Sequence, residues 1–217
     1  MTRAVLWDLD GTLVDSADYH WRSWRDTLAA DGVSITYQQF RESFGQRNDR
    51  ILRQWLGADA DQARVERIGV AKEAEYRRLA QTEGLTALPG AADWVTRLHA
   101  DGWKQAIASS APRLNVEVML RVLALDRFID AIVAAEDVTQ GKPAPDVFLE
   151  AARRLSASPE TCVVVEDAAA GLEAARAAGM RTVGVNHTTL LDAEVVVTSL
   201  TDLPPDTFDR LIGPAPA

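Results

Sequence analysis

Short apolar runs in this sequence end, one after another, in acids, hydroxyls or a lysine. Ala4-Val5-Leu6-Trp7 runs into Asp8-Leu9-Asp10-Gly11-Thr12. The run 105–108 is followed by Ser109 and Ser110, and the run Ala131-Ile132-Val133 is followed, after a loop, by Gly141-Lys142-Pro143. The run 162–165 is followed by Glu166 and Asp167. Asp8, Asp10, Glu166 and Asp167 bring four negative charges to these ends, and Lys142 returns one positive. Such a set needs a hard cation with oxygen ligands, and Mg²⁺ is the usual choice where it shares them with a phosphate. A dication would leave one negative charge, which one proton would cancel. A phosphate would also meet the Ser109 hydroxyl, the Lys142 ammonium and the amides of the turn formed by Leu9, Asp10 and Gly11, since successive turn amides make an anion-binding nest.

These residues act together only if the chain brings their strands side by side. The runs 4–7, 105–108, 131–133, 162–165, 182–185 and 195–197 are short and almost continuously apolar, as parallel strands covered on both faces are. Helical spacing lies between most of them, over 91–100, 115–125, 146–155 with Asp146 as N-cap, and 168–178 ending at Gly179. This alternation predicts an α/β fold with a doubly wound parallel sheet. In such sheets ligands bind beyond the carboxyl ends of the strands, where the acids fall.

The stretch 15–84 shows no strand run. Helical patterns over 17–30, 37–44, 49–56 and 62–81, broken at Gly32, Gly45 and Gly57, fill it. It is far longer than the ~10–12 residues that a crossover needs. An α-helical cap inserted after the first strand is expected over 15–84, with hinges near 14–16 and 84–89 and the core built from 1–14 and 85–217.

Lys+Arg number 23 and Asp+Glu 32, a net charge of −9. An acidic surface is a poor generic partner for nucleic acid or an anionic membrane, so neither is expected. The single cysteine, Cys162, lies in an apolar run and reads as a buried small hydrophobe. No signal peptide or membrane-spanning run is visible, and a reducing, cytoplasmic setting is expected. A monomer is expected, with a dimer left open. The tail Gly-Pro-Ala-Pro-Ala at 213–217 is expected to fray.

The segment Asp8-Leu9-Asp10-Gly11-Thr12-Leu13-Val14-Asp15-Ser16 resembles the first motif of the haloacid dehalogenase superfamily. Ser109, Lys142-Pro143 and Glu166-Asp167 are similar to its second, third and fourth motifs, in order, and the helical insert resembles the cap that follows the first motif in one subgroup. The resemblance covers essentially the whole chain. It implies a Rossmann-like core and a phosphomonoester hydrolase working through an aspartyl-phosphate. Asp8 would be the nucleophile, and Asp10 the general acid/base, with its carbonyl on the metal. Ser109 would bind phosphoryl oxygens and Lys142 would neutralise charge. Asp167 would ligate Mg²⁺, with Glu166 ligating directly or through water. Donation by Asp10 requires a raised pKa, and crowding by the other carboxylates is expected to supply it. Taken singly, each motif has a plainer reading. Asp10-Gly11 would be a turn, Ser109 and Ser110 helix caps, Lys142 a loop lysine, and Glu166-Asp167 partners of a helix dipole.

In the cap, His20 and Trp24 lie one helical turn apart. They resemble a His and a Trp near the sugar in β-phosphoglucomutase-like members. The plainer reading makes Trp24 cap core and His20 a satisfied polar residue. Other positions depart from that likeness. Ala111 and Pro112 stand where a Ser and a Lys hold a second phosphate, Phe44 replaces a Lys, and Asn48 replaces an Arg for which adjacent Arg47 would compensate. Arg78 aligns with a cap lysine. The expected substrate-binding set is Leu9, Gly11, Ser110, His20, Trp24 and Arg47. A thin second-phosphate site favours a phosphatase of small metabolites, of sugar phosphate or phosphoglycolate type. The alternatives are a phosphosugar mutase, a metal-free dehalogenase using Asp8, and an idle binding protein.

Overall fold

The computed structural model describes residues 2–185 and 191–213. The expectation for the tail beyond Gly213 falls outside these residues. Six strands, β1 Ala4–Trp7, β2 Lys104–Ala108, β3 Ala131–Val133, β4 Cys162–Glu166, β5 Arg181–Val185 and β6 Val195–Val197, form one parallel sheet in the order β3-β2-β1-β4-β5-β6. All six expected runs are in it.

The sheet alternates faces with period two, as strand geometry requires. Val5, Trp7, Ile107, Val163 and Val165 point into one apolar cluster, with α5 Ala91–Ala100, α6 Arg113–Val122 and α9 Thr207–Ile212 over it. Ala4, Leu6, Ala106, Ala108 and Val164 point into the other, under α7 Asp146–Arg154 and α8 Ala169–Ala177. Cys162 is buried in this second cluster.

Between β1 and α5 lie four helices: α1 Ala17–Ala30, α2 Tyr37–Ser43, α3 Asn48–Leu56 and α4 Gln62–Glu83. They close over a separate cluster of Trp24, Leu28, Phe40, Ile51, Leu52, Val65 and Ile68. Gly32, Gly45 and Gly57 all have positive φ at the breaks between these helices. The last turns of α4 leave this cluster, and Tyr76 and Ala80 pack in the core's first cluster. The outgoing and returning chains run together, with Val14 bridging Ala87, Asp15 N donating to Thr86 O at 3.2 Å and Leu88 N to Leu13 O at 2.9 Å.

Three local expectations are corrected. Glu166 is the last residue of β4 rather than the first beyond it. Pro145 holds the N-cap position of α7, with Asp146 in its first turn. The helix expected over 115–125 starts at Arg113 and stops at Val122, where Leu123 turns the chain and Ala124 takes positive φ. No described helix is long and apolar enough to cross a membrane.

Candidate active site

The strand order makes the site. Chain connections from β1 run to β2 and β3 on one side, and β4 and β5 return on the other, so direction reverses between β1 and β4. A crevice opens at the carboxyl end of such a switch point. Trp7 pairs with Val165, so the next residues, Asp8 and Glu166, emerge side by side. Asp8 N still donates to Val165 O at 2.9 Å, and Ser109 N to Val133 O at 3.0 Å. These carboxylate and hydroxyl positions are therefore continuations of the ladder rather than free loop ends.

One oxygen from each of Asp8, Glu166 and Asp167 lies within 4.8 Å of the others. Lys142 Nζ enters between two of them, donating to Asp8 Oδ1 at 2.6 Å and Glu166 Oε2 at 2.7 Å. Burial, then the Glu166 charge, push the Asp8 carboxyl up to about 7 against the pull of Lys142. Burial, then the charges of Asp8 and Glu166, raise Asp167 well above the usual range. Burial works against the Lys142 ammonium, but Asp8 and Glu166 outweigh it and raise its pKa.

Two glycines make room for this cluster. A Cβ at Gly11, whose φ is +91°, would overlap the Asp167 carboxylate. A Cβ at Gly171, in the first turn of α8, would overlap that of Glu166. Gly171 escaped the sequence reading, because one glycine in an alanine-rich helix carries no signal of what it faces.

Asp10 stands apart from the cluster. Its Oδ1 accepts from Ser16 Oγ at 2.5 Å and pairs with His20 Nε2 at 3.0 Å. Burial favours the neutral acid, but His20, Ser16 and the more distant Lys72 together hold its pKa below the ordinary value. The expectation that carboxylate crowding would raise Asp10 is thereby corrected: its neighbours are cap groups that favour the anion. The acid cluster holds three carboxylates, and a dication would balance what Lys142 leaves.

On the ring's other side, His20 Nδ1 lies 2.8 Å from Lys72 Nζ. An ammonium can only donate, so Nδ1 accepts and Nε2 carries the hydrogen given to Asp10. His20 also stacks on Tyr76, with ring centroids 4.2 Å apart. Lys72 Nζ donates to Glu73 Oε1 at 2.7 Å, Asn48 Nδ2 to the same oxygen at 2.6 Å, and Asn115 Nδ2 to Glu73 Oε2. Lys72, Glu73 and Asn115 were not anticipated from the sequence.

Lys72, Glu73 and Asn48 line a cavity of about 280 Å³ together with Asp8, Asp10, Ser109, Ser110, Lys142, Glu166, Asp167, His20 and Trp24. Trp24 is only 2% exposed, packs edge-on against Trp55 and carries Lys72 Nζ 5.1 Å from its ring centroid. It is chiefly cap core, the plainer of the two readings. Arg47 does not line the cavity, and its guanidinium lies 3.5 Å from the carbonyls of Ala135 and Val138. Arg78 pairs with Glu75 at the surface, outside the cavity.

The turn after β1 departs from expectation at one point. Gly11 N donates to Val14 O at 2.9 Å, so its amide is committed within the turn. The described backbone bonds use neither the Leu9 nor the Asp10 amide, while the Leu9 side chain is fully buried. Ser109 Oγ accepts from Ala111 N at 3.0 Å, and Pro112, not a serine, occupies the N-cap position of α6.

A doubly wound core with a helical insert, and acids gathered at the switch point, define the class. The chain belongs to the haloacid dehalogenase-like hydrolase family, whose model matches residues 2–179. It is 34% identical over 182 residues to the fructose-1-phosphate phosphatase YqaB of Escherichia coli, covering 83% of this chain and 95% of that protein. It is 32% identical over 208 residues to the β-phosphoglucomutase of Bacillus subtilis, covering 93% and 91%. The crystal structure of CbbY from Rhodobacter sphaeroides in complex with phosphate superposes with a TM-score of 0.85 at 28% identity, over 93% of this chain and 96% of that one. The chain is thus an enzyme of this family, among relatives that hydrolyse phosphoesters or isomerise phosphosugars.

Proposed function

We propose that this enzyme is a Mg²⁺-dependent phosphomonoester hydrolase that acts on a small phosphorylated sugar or polyol through an aspartyl-phosphate on Asp8. The observation that carries the reading is the separation of two aspartates two residues apart. Asp8 is bound to Lys142 of the core, and Asp10 to His20 of the cap. One is dressed as a nucleophile and the other as a proton carrier.

Asp8 and Asp167 would hold the metal, with the Asp10 carbonyl. Glu166 would act through water, since its Oε2 accepts from Lys142 and its Oε1 from Ala168 N at 3.2 Å. The crowding of three buried carboxylates, two of them with raised pKa, fits a dication. The metal, when bound, screens the repulsion between an anionic nucleophile and an anionic phosphate.

In the first step, an Asp8 oxygen forms a bond to phosphorus, the ester P–O bond breaks, and Asp10 gives its proton to the leaving alkoxide. Ser109 and Lys142 stabilise the equatorial oxygens. In the second, water attacks phosphorus, Asp10 takes the water proton, and the acyl-phosphate bond breaks to regenerate Asp8 and release phosphate. Asp10 must be protonated for the first step, and the negative charge of a phosphoryl group beside it pushes its pKa back up. We place the cap at 15–84 and the core at 1–14 and 85–217.

Hydrolysis is favoured over mutation of a phosphosugar because a mutase must also grip a second phosphate. The cap's lysine on the cavity, Lys72, is already paired with Glu73, and Arg47 points elsewhere. The test is phosphate release from a panel of sugar and polyol monophosphates with Mg²⁺, alongside β-glucose 1-phosphate with a bisphosphate primer. Turnover should vanish in Asp8→Asn and in excess chelator. Turnover surviving either, or glucose 6-phosphate formed without phosphate release, would overturn the reading.

A further inference from the structure

Core residues set the chemical end of the cavity, and the cap sets its far wall. Among the described lining residues, the cap brings Lys72 as its lysine and Glu42 and Glu73 as its acids, with His20 between Lys72 and Asp10. The Lys72 ammonium is spent on Glu73 and His20. Glu73 is only 6% exposed and is held from three directions: by Lys72 on its own helix, Asn48 at the start of α3 and Asn115 on core helix α6. Arg77 Nη1 donates to Asn115 Oδ1 at 2.8 Å, which turns the amide NH₂ of Asn115 toward Glu73. Burial alone would neutralise this carboxyl, but the Lys72 ammonium and the Asn48 amide hold its pKa below the ordinary value. On the core side of the cavity, Ser110, Ala111 and Pro112 add no charge. Gln46 lines the wall with Oε1 buried and lacking a hydrogen-bond partner among the described residues.

From this we infer that the enzyme selects monophosphate esters whose far end is neutral and hydroxylated, and that Glu73 is the specificity-determining residue that rejects a second anion. The inference rests on the reading of the site as a phosphomonoesterase and deepens it. A carboxylate or second phosphate at the far end would lie beside the Glu73 carboxylate, where charges are weakly screened, and the Lys72 ammonium could answer it only by leaving Glu73 and His20. A hydroxyl meets no such repulsion. The cavity, about 280 Å³, lies just below the usual range of ligand sites, about 300–1,000 Å³, which suits a molecule no larger than a sugar.

The test compares two ligands alike from C2 to the phosphate and different only at C1. Sorbitol 6-phosphate ends in a hydroxymethyl group, and 6-phosphogluconate in a carboxylate. Binding of each to full-length Asp8→Asn protein with Mg²⁺ is measured by calorimetry. Sorbitol 6-phosphate should bind at least about tenfold tighter, the ratio that about 1.4 kcal/mol gives. Adding Glu73→Gln should bring the ratio to within about threefold, mostly by strengthening the carboxylate ligand, since the repelling charge is gone. Asn48→Arg, which places a cation beside Glu73, should move it the same way and serves if Glu73→Gln fails to fold. Equal binding of the two ligands, a preference for the carboxylate, or no binding of either at millimolar concentration overturns the inference. A ratio unmoved by both substitutions removes Glu73 from it. Wild-type turnover separates the two readings. Equal hydrolysis of both esters leaves the phosphatase standing without this selectivity, and selective binding with no hydrolysis of any ester does the reverse.

Discussion

Replacing Lys142 by Met should destabilise the metal-free enzyme in a pH-dependent way, and the size of the effect can be worked from the cluster. Met keeps the aliphatic stem, whose ammonium end lies 5.2 Å from the Phe148 ring centroid, so the change is mainly one of charge. At an effective dielectric of about 20, charges 2.6–2.7 Å apart attract by about 6 kcal/mol per pair, and carboxylates within 4.8 Å of one another repel by about 3.5 kcal/mol or more. The variant keeps the repulsion and loses both attractions. It escapes by binding one more proton on the cluster when it folds. The cost of that proton is set by the ordinary carboxyl pKa, about 4.3, at about 1.36 kcal/mol per pH unit above it. The penalty is then about 4 kcal/mol at pH 7.5 and about 1.5 kcal/mol at pH 5.5, within reach of the 3–5 kcal/mol typical of breaking a buried ion pair. The sign follows from linkage. A carboxyl whose folded pKa is raised stabilises fully below its unfolded pKa, and that stability is lost as pH rises toward the folded value. Wild-type Asp8, pushed up to about 7, already gives a decline between about pH 4 and 7. The variant should decline more steeply and to higher pH. Urea unfolding in chelator at the two pH values measures the difference. A penalty below about 1 kcal/mol at pH 7.5, or one equal at both pH values, would refute the charge accounting.

Gly171→Ala should leave the fold intact but displace the Glu166 carboxylate, raising the Mg²⁺ concentration needed for half-maximal phosphate release by about tenfold or more; a wild-type magnesium titration would contradict the packing. Lys72→Met should lower kcat by about tenfold or more with a smaller change in KM, because His20 loses the donor that fixes its tautomer against Asp10; an unchanged kcat and pH–rate profile would count against that role. The Cys162 thiol, pushed up to about 12 by burial, should react with a disulfide reagent only on the timescale of unfolding, and fast labelling of native protein would show the strand to be open.

The sheet was legible in the sequence because parallel strands buried on both faces must be apolar throughout, and in this chain every such run is a strand. The acids of the cluster were legible for a related reason: a single carboxylate after an apolar run has plainer uses, but acids, hydroxyls and a lysine at four successive run ends point together to one site. The far wall of the cavity was not legible. Lys72 and Glu73 sit in α4 among many charged neighbours and read as a solvated helical face. What buries them is the fold of α1 and α3 over that helix and the approach of Asn115 from the core, contacts between residues 25 to 52 positions apart. Arg47 misled in the opposite way. Its neighbour Asn48 faces the cavity, but Arg47 sits one residue earlier, at the N-cap of α3, and its side chain leaves toward the carbonyls of the loop after β3. One residue of offset at a helix start turns a side chain by about 100°, and sequence adjacency hides that turn.

The pairing of charges also bears on how the cap and the reaction are connected. Among the described residues the charges around Asp8 belong to the core: Lys142 binds it, while Glu166, Asp10 and Asp167 crowd it. The groups that hold Asp10 come from the insert: Ser16 at its start, His20 on α1, and Lys72 on α4 behind the ring. A shift of the cap would therefore leave the nucleophile's surroundings in place and strip the proton carrier of its partners. Glu73 ties the two parts together, because it receives Lys72 and Asn48 from the cap and Asn115 from the core on one carboxylate. A lifted cap would part Asn115 from Glu73, leave Lys72 freer to release His20, and weaken the interactions that favour the Asp10 anion. Water would enter at the same time, so the burial that opposes the anion would fall together with the bonds that favour it, and the Asp10 carboxyl would return toward the ordinary carboxylate range. The surroundings that prepare Asp10 to carry a proton are thus complete only with the cap in place, which links substrate enclosure to proton transfer through side chains already in contact.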